Sequence, residues 1–280
     1  MAMIDTSMVG IKRSDDSTSS LDSLFDYDAG DVESVKEVEA KDNPVNLALC
    51  DFTKYLDLCF DDQENYVVDL ILTPSEIKSF VNIGNIDNLT VDYHLLLSDY
   101  TSRLIQKSYD NRYNHFKFDS NINNLKYFGN KLKGNEENPI IIETLGGINS
   151  HFLAHAKNVI ARINGNLQVG FAIGSTNVTA FIFGNVGNYF GINSFNLSAY
   201  ISNNAGGYFG SMSEKLSAYI EGNVEDCFAN HSSNLSAIVK GEVGFIFETK
   251  IKNLTLLHGR DIEQSPEFPL LLEEIYGGLR

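Results

Sequence analysis

The sequence predicts a mainly β chain with a helical N-terminal block, in which about six coils of 19 residues build a parallel β-helix. Three observations carry that expectation. Stepping by 19 from Phe152 lands on Phe171, Phe190, Phe209, Phe228 and Phe247. Phe is 18 of 280 residues, so five further hits have chance odds of about one in a million, too low for coincidence even with a free choice of start. Within a unit the apolar residues alternate, as in Leu-Ser-Ala-Tyr-Ile at 197–201 and again at 216–220, which is the period of a strand with one buried face. Ahead of the repeat, apolar residues fall at helical spacing instead.

In chain order, residues 1–44 read as an acidic leader. Eleven acids against four bases in residues 1–42, with few large apolar side chains, cannot offset the entropy of ordering, so a disordered tail is expected. Its opening MAMIDTSMVGIKRSDD lacks the apolar centre of a secretory signal. Residues 45–137 read as a small, mainly helical subdomain. NPVNLALCDFTKYLDLCF suits a helix, whereas YVVDLILT has an ambiguous, strand-like pattern. Thr73-Pro74-Ser75-Glu76 is a capping box with proline at the first helical position. Tyr93, Leu97, Tyr100 and Leu104, widened by Leu96 and Ile105, predict a helix over 90–112 with a core-facing stripe. Residues 138–260 hold the coils. Residues 261–280 form a capping tail in which Phe268, Leu270, Leu271, Leu272 and Ile275 are suited to cover the far end of the stack.

Further ladders agree with the phenylalanines. Ala recurs at 161, 180, 199, 218 and 237, and Ile or Val at 163, 182, 201, 220 and 239. Val or Leu stands at 159, 178, 197, 216, 235 and 254, preceded by Asn in every unit but one, where Lys215 replaces it. Gly165, Gly184, Gly222 and Gly241 follow the strand phrase, and are read as corners with positive φ. One unit cannot bury its apolar face alone, but coils stacked about 4.8 Å apart turn each ladder into an inner column. Asn at a constant corner predicts a ladder of stacked side-chain amides. The four glycosylation sequons at Asn177, Asn196, Asn234 and Asn253 then follow from the repeat itself.

The phrases GNVGNYFGINSFNLSAYISNN (184–204) and IEGNVEDCFANHSSNLSAIVKGEVG (220–244) resemble the GXGXG repeat family, which includes the C-terminal domain of glutamate synthase and a repeat-bearing component of formylmethanofuran dehydrogenase. The likeness covers roughly residues 139–259. It implies a right-handed parallel β-helix, and it implies one candidate role, an accessory subunit of a multi-subunit oxidoreductase.

Composition narrows the function. A net charge of −16, with no sizeable basic patch, argues against nucleic acid or an anionic membrane as partner, and no apolar run reaches the roughly 18–20 residues of a membrane span. Three cysteines without a CxxC pair suit a reducing, cytoplasmic setting. No nucleophile elbow, P-loop, dinucleotide glycine fingerprint or zinc spacing is present, so no catalytic residue, cofactor or metal is expected. His151 and His155 read as corner histidines rather than ligands. Between residues 139 and 213 the charged residues are Glu143, Lys157 and Arg162, which leaves a polysaccharide lyase or other carbohydrate-active β-helix enzyme short of acid–base groups. One outward column runs Arg162, Phe181, Tyr200, Tyr219, Ile238. Such a column is covered either by the protein's own helical block or by another molecule. The leading expectation is a non-catalytic scaffold that docks a partner subunit, or forms a homo-oligomer, through an interface of Phe181, Tyr200, Tyr219 and Ile238.

Overall fold

Alternating apolar residues at a 19-residue period can be satisfied only by neighbours one coil away, and the chain is built that way. The computed structural model describes residues 43–85, 90–119, 122–246, 251–259, 261–265 and 268–278. The expected disorder of the leader concerns residues 1–42, which lie outside the described residues, as does Phe247.

The body is a parallel β-solenoid of about six turns. Its strands are β1 (His115–Phe118), β2 (Ile140–Thr144), β3 (Ile148–Ser150), β4 (Lys157–Ile163), β5 (Leu167–Val169), β6 (Thr176–Ile182), β7 (Phe195–Ile201), β8 (Glu214–Ile220), β9 (Ser233–Val239) and β10 (Lys252–His258). Eight of them form one parallel sheet in the order β1-β2-β4-β6-β7-β8-β9-β10. From β2 onward the register is the sequence period: Ala161 pairs with Ala180, Ala180 with Ala199, Ala199 with Ala218 and Ala218 with Ala237. A second row of bridges joins Leu167, Val186, Ala205, Val224 and Val243.

The inner columns are dry. Phe152, Phe171, Phe190, Phe209 and Phe228 are each at most 2% exposed, and the alanine row is fully buried. Both rows belong to one close-packed core, in which the small alanines leave volume for the rings.

The turn past the rings is made by left-handed residues at alternate positions, such as Tyr189, Gly191 and Asn193 in one coil. Neighbouring coils hold them: Tyr189 N–H donates to Gly207 O (3.0 Å) and Asn193 N–H to Ser211 O (3.0 Å). The post-strand glycines differ from expectation. Gly165, Gly184, Gly222 and Gly241 do not have positive φ. Glycine is needed because corner backbones lie directly over one another, so that a Cβ on Gly184 would run into the carbonyl oxygen of Gly165.

The helical block comprises α1 (Pro44–Leu56), α2 (Phe60–Glu64), α3 (Pro74–Gly84) and α4 (Val91–Asp110). Phe52 and Tyr55 of α1 meet Phe80 of α3 and Tyr100 of α4 in an aromatic cluster, and Val45 and Ala48 are buried in the same core. The capping box forms: Thr73 Oγ1 accepts from Glu76 N–H, and Glu76 Oε2 accepts from Thr73 N–H at 2.7 Å. Asp51 accepts from the hydroxyls of Tyr66 and Tyr100, both at 2.7 Å. Burial, with that bond, pushes the Tyr66 phenol up to about 12. The ambiguous YVVDLILT forms no strand and links α2 to α3, burying Val68 and Leu72.

The sheet begins earlier than residue 138. His115–Phe118 pairs with Ile141–Thr144, and Phe128 stacks on Phe152 at 5.8 Å. This first coil escaped the period because the segment after Lys133 is lengthened, leaving Phe128 24 residues ahead of Phe152 instead of 19. Helix α4 closes it. Ser102 Oγ accepts from Gly129 N–H (2.9 Å), while the Gln106 amide accepts from Lys133 N–H (2.8 Å) and donates to Lys133 O (3.1 Å). Tyr109 Oη accepts from Asn135 N–H and donates to Asn138 O, both at 2.7 Å. Side chains of one helix thus replace the coil that would otherwise continue the stack.

After β10, α5 (Asp261–Gln264) and α6 (Phe268–Gly278) turn back along the solenoid. They lie against β8, β9 and β10 on the outer face of the sheet, a side position rather than the end cap expected from the sequence. The reason is spacing: Phe268, Leu271, Leu272 and Ile275 form a helical stripe, and a stripe matches a column of outward side chains better than the ragged end of a stack.

Candidate functional site

The outward positions of the strands stack as strictly as the inward ones. Arg162 pairs in register with Phe181, Phe181 with Tyr200, Tyr200 with Tyr219, Tyr219 with Ile238 and Ile238 with Leu257. The four sequence-predicted interface residues are therefore brought into one column. The rings of Tyr200 and Tyr219 stack at 5.9 Å and 11°. Phe183, 53% exposed, leans against Tyr200 with centroids 5.9 Å apart.

The column is not uniformly open. Tyr219 is 7% exposed and Ile238 fully buried, both packed with Leu257, Ile262, Leu271 and Ile275. Phe181 and Tyr200 are half-buried at the margin of the same cluster. An exposed interface at Tyr219 and Ile238 is thus corrected: the C-terminal helix covers them, not the helical N-terminal block. Leu257 and the helix stripe were the missing members. Both carried a signal, since Leu257 stands 19 residues after Ile238 and the stripe has helical spacing.

Charges frame the column. The Arg162 guanidinium lies 6.0 Å from the Phe181 ring centroid and donates to Glu143 Oε1 at 3.0 Å. Lys240 lies 5.5 Å from the Tyr219 centroid and 3.4 Å from Glu221, which accepts from the Tyr200 hydroxyl at 3.1 Å. Burial opposes ionisation of Glu143. The Arg162 hydrogen bond and the charges of His115, Arg162 and Lys117 outweigh it, and the carboxyl is held below its ordinary range.

Beside this column runs the amide ladder. Asn177 Nδ2 donates to Asn158 Oδ1 (2.9 Å), Asn196 to Asn177 (2.9 Å) and Asn253 to Asn234 (2.8 Å). All six positions, Lys215 included, have φ of 53–57°, which explains the residue type: asparagine tolerates the left-handed region and can bond its own kind. A second ladder went unread in the sequence. Asn166, Asn185, Asn204 and Asn223 each accept, through Oδ1, a main-chain N–H from the next coil at 2.8–3.2 Å.

A polar groove of about 460 Å³ lies along the first ladder, lined by Asn196, Lys215, Ser217, Asn234, Ser236, Asn253 and Thr255. Its one titratable group is Lys215, whose ammonium sits 5.0 Å from the Phe195 ring centroid. His151 stacks on Tyr127 at 4.4 Å and 13°. Burial and Lys126 lower its pKa. Among the described residues, no three of His, Cys, Asp and Glu gather as a metal site, and no helix is long and apolar enough to cross a membrane.

The chain matches no protein-family model, no curated protein and no solved structure.

Proposed function

We propose that this protein is a non-catalytic scaffold that docks a protein partner on the open part of its aromatic column. One observation carries the reading: α6 buries Tyr219 and Ile238, but Phe181 and Tyr200 remain half-buried beside the exposed Phe183. An aromatic row that continues past its own covering helix offers a second helix or loop the same anchoring rings. The polar groove supports the same reading, because amides, hydroxyls and a single ammonium supply no acid–base pair.

The test is a capture experiment from the native source with the full chain and a Phe181→Asp/Tyr200→Asp variant. A defined partner held by the wild type and lost by a variant of unchanged melting temperature is the expected result. Equal capture by both proteins, or none by either, overturns the proposal. A flavin- or metal-bearing partner identifies the scaffold as an accessory subunit of an oxidoreductase, the role implied by the GXGXG likeness.

A further inference from the structure

The two ends of the solenoid are finished differently. At the first coil, Ser102, Gln106 and Tyr109 occupy main-chain groups that a preceding coil would have used. At the other end β10 pairs with β9 on one side, and among the described residues no strand pairs with its other side. Gly259 N–H donates to Val239 O (3.1 Å). Strand alternation then turns the main-chain groups of 255 and 257 toward β9, and those of 254, 256 and 258 away from it.

The side chains at this end are equally distinctive. The rows that bury Leu235 to 1% and Ala237 completely end in Leu254 and Leu256, both only partly buried, with Val243, Ile246 and Ile251 beside them. A last repeat that faces water is normally made polar. Here the change runs the other way, since the row reading Ala161, Ala180, Ala199, Ala218, Ala237 ends in the larger Leu256.

We propose that this end is a self-association surface, where β10 pairs antiparallel with β10 of a second copy about a two-fold axis through Thr255. The observations select a second copy because the edge is complementary to itself. Centring on Thr255 sets Leu254 against Leu256 of the other copy, twice, and these are residues whose main-chain groups face outward. Charge permits the approach: the chain carries −16, but residues 240–259 hold three lysines against two glutamates. With the first coil bonded by α4 and its edge strand β1 covered by α3, which leaves Phe116 and Phe118 buried, each molecule has one open end among the described residues, so the contact closes as a dimer instead of growing into a fibre. This surface is separate from the aromatic column and rests on different observations.

Sedimentation of the full chain tests it. The wild type should be a dimer, and Leu256→Pro should weaken dimerisation about tenfold or more. The lost N–H points away from β9, so helix and sheet signals should persist. Should Leu256→Pro fail to fold, Leu256→Glu is read in the same way. In addition, Thr255→Cys should form an intermolecular disulfide under mild oxidation, because the axis places the two side chains opposite each other. A wild type that stays monomeric overturns the proposal, whether the end is covered by its own chain or by a foreign strand. A dimer that survives at Leu256 and dissociates with Phe181→Asp/Tyr200→Asp overturns it too, by placing the contact on the aromatic column.

Discussion

The rings of Phe190 and Phe209 lie 4.8 Å apart and 1° from parallel. That separation equals the spacing of hydrogen-bonded strands, so rings and backbone climb in step. Phe209→Ala would open a gap between Phe190 and Phe228 that neighbouring coils, fixed by their own ladders, cannot close. A loss of about 3–5 kcal/mol is expected from chemical denaturation, and a change below about 1 kcal/mol would sink the stacked-ring account.

The Gln106 amide meets both main-chain groups of Lys133. Gln106→Ala leaves them to water at the edge of the first coil, and should cost about 1–2 kcal/mol. Hydrogen exchange at Lys133 is the sharper readout, since protection should fall there well before it falls in β7.

Lys215 interrupts the amide ladder in a left-handed conformation. Lys215→Asn should join Asn196 to Asn234 and raise stability by about 0.5–1 kcal/mol, despite losing the ammonium contact with Phe195. A lower melting temperature would show that the cation contributes more than the missing amide.

Removing residues 261–280 uncovers Tyr219, Ile238 and Leu257 together. The truncated chain should bind an apolar dye and aggregate on standing, with the Phe columns intact by near-ultraviolet dichroism. Unchanged dye binding would mean that the helix does not cover the column in solution.

Glu143 receives Arg162 at 3.0 Å, His115 at 3.3 Å and Lys117 at 3.8 Å. Its pKa is depressed in the folded state, so its contribution is complete above the unfolded carboxylate value and vanishes as pH falls through the folded one. Glu143→Gln should therefore cost about 0.5–1 kcal/mol near neutrality and progressively less in acid. A penalty independent of pH would assign the effect to packing.

The solenoid was legible in the sequence because every coil meets its own copy, so one pattern repeats wherever the contact does. Phe209, Ala199 and Leu216 announced themselves in that way. The first coil was not legible, because the lengthened segment after Lys133 shifts Phe128 out of period while leaving its ring in the stack. The candidate site was half legible. Alternation gave the outward direction of Phe181, Tyr200, Tyr219 and Ile238, but direction does not name the cover. That depended on where one apolar stripe, Phe268 to Ile275, came to rest among several surfaces of similar character.

The seal at the first coil has a further consequence. Ser102, Gln106 and Tyr109 recognise one particular coil, and α6 rests on β8 and β9, whereas β4, β6 and β7 lie between coils that repeat their own pattern. A duplicated 19-residue segment placed between β4 and β7 would find its hydrogen-bond register, its rings and its alanines already waiting on both sides. Each such copy would lift one end of the solenoid from the other by a single rung and leave the contacts of α4 and α6 untouched. Length is thus a free variable of this architecture, and the spacing between whatever binds its two ends can be adjusted in steps of one coil.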